Sequence, residues 1–452
     1  KQKTAYDIPK RDWSSDVCSS DLAPLSTFHK KLTLFSSGGP FLDGYILSII
    51  GIALVQINEA WGMGTLWNGL IGASALIGVF IGGLVFGNVT DRIGRKLMYT
   101  IDLIAIIVCS VAQFFVAEAW QLFALRLVIG VAVGADYPIA TALVAEFAPS
   151  TWRARLLGGL NAMWFVGATV AAFVGYWLLQ FEDGWRWMLL SSALPALVIV
   201  VARTTIPESP RWLASKGRSE EALAVLHATL GPDATLDDLP EEPAPTTFGA
   251  VVSSGYLSRV VFISIFWTAT IVTLFAIYAF GPQMLSLFGL DSGDEANLGY
   301  GLINLFFFVG NVVALLFVDR LGRRPVLIGG FLVSGLGLVY LAINPDASLG
   351  MVALAFAVYA IFNGGPSILE WIYPNELFPT EIRATAVGLC TGTSRVGAAV
   401  GTFATPWALD NIGISGTMWI AAGIAGVGAL VSYLMAPETA GKSLHEAASL
   451  SR

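Results

Sequence analysis

Six charged side chains interrupt the long apolar stretches of this sequence: Asp43, Asp102, Arg126, Asp136, Glu370 and Arg395. A charge in the middle of a hydrocarbon layer costs about 2.5 to 3.5 kcal/mol, so each of these residues needs an ion partner or a proton. Buried carboxylates can bind and release protons, and no histidine lies in an apolar stretch. The chemistry predicted from these residues is therefore ion pairing and proton binding. For each acid, the alternative is a purely structural pair or a place near the headgroups.

Asp43 and Arg126 are the first candidates for such a pair. At 100° per residue, Arg126, Gly130 and Tyr137 lie near one face of a helix, and Gly134 widens this stripe of small residues. We expect this face to approach the helix that carries Asp43. An ion pair would offset the cost of burying both charges, and it would weaken when the carboxylate takes up a proton.

A second polar group lies later in the chain. Asn363, Ser367 and Glu370 follow each other at steps of four and three residues, so they share one helix face and predict the wall of a polar pocket. Arg395 would suit a carboxylate ligand there, since a guanidinium binds a carboxylate through two parallel hydrogen bonds. Alternatively, Arg395 is the ion partner of Glu370.

The elements that carry these residues are predicted to be membrane-spanning helices. Of the 452 residues, 55% are hydrophobic and 13% are charged, and the mean hydropathy is +0.70. Segments of about 20 apolar residues, the length that crosses a bilayer, recur along the chain. We count twelve, near 34–57, 66–90, 97–117, 120–147, 156–181, 187–203, 259–288, 297–318, 325–343, 349–373, 382–409 and 413–436.

The distribution of Lys and Arg predicts the orientation of these helices. Basic residues concentrate in cytoplasmic loops, and with both termini inside, Arg186 is the one basic residue left for the outer loops. The net charge of −7 is spread over loops and indicates no nucleic-acid partner. Three cysteines, two of them in apolar runs, offer neither a disulfide framework nor a metal-ligand spacing.

The sequence also divides into segments and repeats itself. Residues 1–28 are predicted to be a disordered tail, in which 12–22 resembles the translation of a sequencing adapter; 29–205 and 259–437 are two six-helix bundles, 206–258 is a cytoplasmic linker with short amphipathic helices, and 438–452 is a cytoplasmic tail. Asp91-Arg92-Ile93-Gly94-Arg95 recurs as Asp319-Arg320-Leu321-Gly322-Arg323, Glu146 with Arg153 recurs as Glu376 with Arg383, and Pro207-Glu208 recurs as Pro437-Glu438. Three motifs that repeat at one offset, of about 230 residues, indicate a duplicated six-helix unit with a solute site between its copies.

These loop motifs resemble those of the major facilitator superfamily, and within it the sugar-porter-like metabolite transporters of bacterial inner membranes. The resemblance spans about 29–446 and implies an all-α integral membrane fold of twelve helices in two bundles. It also implies a gate of cytoplasmic ion pairs, which hold when the carrier faces outward and part when it opens inward. The residues at these positions are Asp91, Arg92, Arg95, Glu146, Arg153, Glu208, Asp319, Arg320, Arg323, Glu376, Arg383 and Glu438.

The chain departs from the sugar-porter pattern inside the membrane. Sugar porters carry an Asp after the Gly-Tyr of helix 1, where this chain has Ile46, so Asp43 is the substitute candidate. Asp43-Gly44-Tyr45 and Gly134-Ala135-Asp136-Tyr137-Pro138 instead look like helices 1 and 4 of phosphate:proton symporters, which implies proton coupling through Asp43, Arg126 and Asp136. Phosphate is not implied, because the acid that those proteins carry one turn after a helix 7 Trp falls at Ile271, if Trp267 is the match.

Substrate recognition is expected to differ from that of hexose carriers. The amides that read hexose hydroxyls on helix 7 of sugar porters are absent here, while Asn161 stands near the helix 5 position of one of them. The residues predicted to bind the substrate are Tyr137, Asn161, Trp267, Asn363, Ser367, Glu370 and Arg395.

The function expected from these features is secondary active transport, by proton symport, of a small organic metabolite. The expected location is the inner membrane of a bacterial cell, and the protein is expected to function as a monomer without a cofactor or metal. Alternatives are a proton-antiport exporter of drug-like compounds and a non-transporting nutrient sensor on the same fold. No cofactor loop or nucleophile arrangement indicates an enzyme.

Overall fold

The structure is a computed structural model, and it describes residues 27–147, 150–204, 207–230, 235–236, 251, 255–290, 293–442 and 444–448. Some side chains within these ranges lie outside the description, among them those of Asp91, Arg92, Tyr137, Glu146 and Arg153. The described chain forms helices joined by short turns.

The first half contains six membrane spans that begin and end within a few residues of the predicted ones. They are built from eight helices: α1 Thr27–Ser36, α2 Gly38–Trp61, α3 Thr65–Ile93, α4 Arg95–Gln113, α5 Ala119–Phe147, α6 Ser150–Leu178, α7 Gly184–Ser191 and α8 Ala193–Arg203. Helices α7 and α8 form one span that is interrupted at Ser192.

Two short helices follow: α9 Pro210–Ser215, whose first turn is capped by the Ser209 hydroxyl, and α10 Ser219–Leu230. The second half then comprises α11 Leu257–Leu287, α12 Gly293–Leu321, α13 Arg323–Ile343, α14 Leu349–Leu377, α15 Thr380–Met435 and the short α16 Leu444–Ala448.

Helix α15 contains the last two spans. Its 56 residues would extend about 84 Å as a straight helix, far more than the ~30 Å hydrocarbon core. Gly413 has a φ of 71° and a ψ of −179°, and the chain reverses there. The part before Gly413 packs along α11, with Gly397 against Thr268, while the part after it packs along α13, where Arg324 donates to the carbonyl of Tyr433 at 2.8 Å. The structure thus confirms twelve spans.

Polarity is distributed as lipid requires. Large apolar side chains such as Leu194, Leu336 and Leu434 are exposed on the outside of the bundle, whereas Asp43, Arg126 and other polar residues are buried inside it. A water-soluble protein would not expose so much apolar surface. The outer face is therefore the surface that lipid covers.

Glycines allow the closest helix contacts in the first half. Gly44 packs against the carbonyl of Trp164, so α2 and α6 approach closely. Gly130 and Gly134 pack against Ala75 and Val79 of α3. The expectation that this stripe faces the helix of Asp43 was wrong for its glycines, because α3 occupies the groove that they create, whereas Arg126 does reach the backbone of α2.

Candidate functional site

A cavity of about 50 Å³ lies between the two halves of the protein. This volume holds a few water molecules, so the halves must move apart to admit a metabolite. The cavity is lined by Asp43, Leu47, Leu76, Val79, Val133, Asn161, Trp164, Phe165, Ile271, Leu274, Phe275, Ser367, Glu370, Trp371 and Arg395. Its wall is thus mainly apolar, with five polar side chains, which is typical of a small-molecule site.

The polar side chains come from both halves. Asp43 on α2 and Asn161 on α6 face Ser367 and Glu370 on α14 and Arg395 on α15. The structure therefore brings four of the residues predicted to bind substrate together with the predicted proton site. A helix-face argument on one segment could predict that Ser367 and Glu370 lie together, but only the packing of the halves places them opposite Asp43.

Other predicted substrate residues do not line this cavity. Asn363 is buried in α14 without contributing to the wall. Trp267 lies beside the Glu370 carboxyl, but its indole Nε1 makes no hydrogen bond with the described residues. The Tyr137 side chain lies outside the described residues. At Ile271, the position that the resemblance to phosphate:proton symporters assigns to an acid, the cavity wall is apolar. The carboxyl beside Trp267 belongs to Glu370 on α14 instead.

Arg395 connects the two sides of the cavity electrostatically. Its guanidinium carbon lies 5.7 Å from the ring centroid of Phe275, within the range of a cation–π interaction. The same guanidinium interacts with both Asp43 and Glu370. Arg395 lines the same cavity as these two residues, so its positive charge lies within electrostatic range of one carboxyl in each half.

The predicted ion pair between Asp43 and Arg126 is not formed among the described residues. Arg126 is buried, and its Nη2 donates to the carbonyl of Ile46 at 3.3 Å. The helix face that carries Arg126 is held against α3 by its glycines, so the guanidinium reaches the backbone of α2 rather than the Asp43 side chain. Asp43 interacts instead with Arg395 and Arg203.

Asp136 lies near Arg203, the last residue of α8. Nη1 of Arg203 lies 3.9 Å from Oδ1 of Asp136, and both side chains are buried. Arg203 also donates to the carbonyls of Phe35 and Ser36, and its guanidinium lies 3.0 Å from the ring centroid of Tyr99. Arg203 ends an apolar segment, and nothing in its spacing indicates that it turns inward.

The three acids of the first half lie within electrostatic reach of one another. Asp136 interacts with both Asp43 and Asp102. Neither Arg126 nor Asp136 lines the cavity. The first half thus contains a cluster of acids with one arginine, formed by Asp43, Asp102, Asp136 and Arg203, that touches the cavity only at Asp43.

The repeated loop motif forms the same structure twice. Glu208 accepts hydrogen bonds from the backbone N–H of Arg95 at 3.2 Å and of Lys96 at 3.1 Å, at the first turn of α4. Glu438 accepts the corresponding bonds from Arg323 at 3.0 Å and Arg324 at 3.1 Å, at the first turn of α13. A carboxylate at a helix N-terminus pairs with free N–H groups and with the positive end of the helix dipole.

Glycine is required at the turn beneath each carboxylate. Gly94 has a φ of 104° and Gly322 a φ of 90°, in a region that favours glycine. A Cβ at Gly94 would lie 2.8 Å from a Glu208 carboxylate oxygen, and one at Gly322 would lie 2.6 Å from a Glu438 oxygen. The recurrence of both residues in each half therefore follows from one geometry, in which a glycine turn leaves room for a capping glutamate.

The described pairs of the predicted gate lie within one half. Arg323 pairs with Asp319 at 2.9 Å and with Glu376 at 3.0 Å, and Glu376 also accepts from the Thr439 hydroxyl. Arg320 is exposed, and Arg383 donates to the carbonyl of Phe378. The side chains of Asp91, Arg92, Glu146 and Arg153 lie outside the described residues. Glu208 and Glu438 each cap a helix of their own half.

The two halves also contact each other on the side of the membrane opposite the glutamate-capped loops. The Thr65 hydroxyl donates to Asp410 at 2.9 Å, from the start of α3 to the second half. Deeper in, the hydroxyl of Tyr300 on α12 lies 2.7 Å from that of Ser48 on α2, and it also donates to the carbonyl of Tyr278. This conformation is therefore closed on the side away from the glutamate-capped loops.

Comparison with known proteins agrees with this architecture. Residues 31–450 match the family model described as "Sugar (and other) transporter". The chain is 46% identical to a protein of Escherichia coli (strain K12) named "Putative metabolite transport protein YaaU", over 94% of this chain and 96% of the relative. It is 37% identical to "Inner membrane metabolite transport protein YgcS" of the same organism, over 94% and 95% of the two chains. The solved structure of the E. coli xylose transporter XylE in a partially occluded inward-open conformation superposes with a TM-score of 0.80 at 24% identity, covering 92% of this chain and 100% of the other.

Proposed function

The chain belongs to the sugar (and other) transporter family, and from this premise we propose that it is a proton-coupled symporter of a small organic metabolite. Membership makes the chain a secondary membrane transporter of the major facilitator fold and not an enzyme. The coupling ion, the substrate and the direction of transport are the parts that we propose.

The observation that carries the proposal is the position of Asp43. Its carboxyl lines the cavity between the halves and also interacts with Arg203, the partner of Asp136. A proton on Asp43 thus changes the charge seen by the cavity and by the buried cluster together. Such a position suits a group that takes a proton with the substrate and passes it to Asp136, towards the capped loops.

We further propose that the bundles 29–205 and 259–437 move as two bodies about this cavity, with 206–258 as the linker and 438–452 as a tail. Contacts such as Thr65 with Asp410 would have to break for the cavity to open on that side. The gate residues around Glu208, Arg323 and Glu376 would then meet across the other side.

The glutamate-capped loops carry Lys and Arg residues, which concentrate on the cytoplasmic side. We therefore place these loops and both termini in the cytoplasm. The name of the relative YgcS supports an inner-membrane location. Because helices of one chain enclose the cavity, a monomer suffices for transport.

The decisive test replaces Asp43 by asparagine, which keeps the size and polarity but cannot release a proton. A substrate is first identified by its effect on the thermal stability of the purified protein, since a ligand of the native state raises apparent stability. In proteoliposomes, Asp43→Asn should lose accumulation driven by a pH gradient and retain downhill exchange of that substrate.

The exposed loop variant Asp346→Asn is the matched control and should accumulate substrate as the parent does. If Asp43→Asn also accumulates substrate with the pH gradient still required, the proton passes elsewhere and this assignment fails.

A further inference from the structure

We infer that the substrate is a small hydroxylated carboxylate, whose carboxylate group binds Arg395 and whose hydroxyl lies between Asn161 and Glu370. This inference rests on the proposed function, because it assigns a substrate class to the same cavity.

We infer the carboxylate group of the substrate from Arg395, because it is the only cation among the residues that line the cavity, all of which the structure describes. Arg395 stays charged, and its planar guanidinium matches the two oxygens of a carboxylate. The α11 wall of the cavity consists of Ile271, Leu274 and Phe275, which offer no side-chain hydrogen bonds to a ring of hydroxyls. A sugar would therefore find few partners on this wall.

The hydroxyl group of the substrate is inferred from two buried polar atoms, one in each half of the protein. Asn161 is 5% exposed and its Nδ2 makes no hydrogen bond with the described residues, while Glu370 is 7% exposed and its Oε1 is equally without one. A buried donor or acceptor without a partner costs about 1 to 3 kcal/mol. A hydroxyl both accepts and donates, so one such group can bond to Asn161 and to Glu370 together.

The charge balance of the buried groups links this ligand to a proton. The charged or titratable groups on the elements packed around α2 near Asp43 are Tyr99, Asp102, Arg126, Asp136, Arg203, Tyr278, Tyr300, Glu370 and Arg395. We take the two remaining acids of this group in the first half, Asp102 and Asp136, to offset its two arginines, Arg126 and Arg203. The three charges left at the cavity are then Asp43, Glu370 and Arg395.

A site with a mainly apolar wall favours neutrality. With Arg395 charged, the empty site is neutral when one of the two carboxyls holds a proton. A bound carboxylate adds one negative charge, which is balanced when the second carboxyl is protonated as well. Each monocarboxylate should therefore enter with one proton, whereas a neutral polyol or sugar needs none.

The test measures thermal unfolding of the purified full chain with L-lactate, D-glycerate and D-gluconate. Each acid is compared with the alcohol in which CH₂OH replaces the carboxylate: propane-1,2-diol, glycerol and D-glucitol. At least one acid should raise the unfolding midpoint while its alcohol does not, and the rise should be larger at about pH 5.5 than at about pH 7.5. An alcohol that stabilises as well as its acid, or an absence of any response to the three acids, would overturn the inference.

Variants identify the group that binds the carboxylate. Arg395→Gln should raise the half-saturating concentration of the stabilising acid at least about tenfold, since a hydrogen bond to a charged group is lost. Arg395→Lys keeps the positive charge but not the two parallel N–H groups of a guanidinium, so it should bind with intermediate affinity. The control Arg218→Gln removes an exposed arginine that pairs with Glu221 and should bind as the parent does. Unchanged affinity in Arg395→Gln would overturn the assignment.

Binding and transport separate the two proposals. Proteoliposomes that carry D-glucitol but none of the acids would overturn the inference and leave the transport function intact. Stabilisation by an acid that is neither accumulated nor exchanged would sustain the assignment of the cavity's ligand, but it would contradict both the acid's role as substrate and the proposed symport.

Discussion

The two halves of this transporter are alike at their loops and different in their interiors. Glu208 and Glu438 cap the first turns of α4 and α13 with nearly the same distances, each above a glycine turn. In their spans, by contrast, the first half holds Asp43, Asp102, Arg126, Asp136 and Arg203, whereas the described second half holds Glu370 and Arg395.

This difference indicates a division of work. Both halves must turn sharply at the same membrane surface, so both kept the cap that stabilises such a turn. The interiors of the two halves need not be alike. One half alone can supply the groups of a proton site, and the other can supply the side chains that contact a substrate. The proposed proton cluster would then lie in the first half, while the second half would supply most of the polar groups that bind the ligand.

The largest expected effect breaks the cluster of the first half. Arg203→Gln leaves Asp136 buried without its ion partner, and we expect a loss of about 3 to 5 kcal/mol in stability. The double variant Arg203→Gln with Asp136→Asn should recover much of it, since no charge is then left unpaired. Arg395→Gln should cost less, because Arg395 lies at the cavity and is only half-buried. Thermal unfolding of the purified variants measures all three losses, and equal losses at Arg203 and Arg395 would contradict the contrast between a buried cluster and a cavity.

A smaller and symmetric effect is expected at the two glycine turns. Gly94→Ala and Gly322→Ala should each lose about 1 to 3 kcal/mol of stability from backbone strain, because a positive φ with a ψ of 152° or 156° is essentially restricted to glycine. The contact of the new Cβ with the capping glutamate should add to this loss. Gly217→Ala is the control for a positive φ without a contact. Gly217 has a φ of 74°, and a Cβ added there would meet no atom within 4 Å. A marked difference between Gly94→Ala and Gly322→Ala in unfolding midpoint would show that the two caps are not equivalent.

The smallest expected effect is a pH dependence of the second cap. Burial alone would raise the pKa of Glu438, but hydrogen bonds from the N–H groups of Ala440, Arg323, Arg324 and Thr439 hold it below its ordinary value. Because the folded pKa lies below the unfolded one, the cap contributes fully at pH values above the unfolded pKa. This contribution is lost as the pH falls through the folded pKa.

The measurement compares the parent with Glu438→Gln across pH. The parent should be more stable at neutral pH, and the two unfolding midpoints should converge as the pH falls below about 4. The exposed Glu182→Gln should show no such convergence. A constant gap between the parent and Glu438→Gln down to acid pH would contradict the role of the charged cap.

Much of the fold could be predicted because it depends on local composition. The bilayer sets the length of an apolar helix, so the twelve spans followed from hydropathy alone, and α10 followed from its own amphipathic pattern. The reversal at Gly413 falls at the predicted boundary between the last two spans. Boundaries differ by a few residues because turns and caps, such as the glutamate caps, decide where a helix begins.

The candidate site could be predicted only in part. Ser367 and Glu370 share a face of one helix, and that relation is local. The pairing of Asp43 with Arg126 was wrong, and the place of Arg203 was missed, because each depends on which helices touch. Glycines turn the face of α5 towards α3, and nothing in the spacing of a single segment specifies that neighbour.

The sequence by itself determined which residues are too costly to leave unpaired in a membrane, and how often the chain crosses it. Only the tertiary structure decided the partners: Arg203 for Asp136, Arg395 for Asp43 and Glu370, and the N-termini of α4 and α13 for Glu208 and Glu438. The physical reason is one of range. The free energy of moving a charge or an apolar side chain into lipid belongs to that residue, whereas an ion pair needs two groups within a few ångströms, and in a helical bundle those groups come from segments far apart in the chain.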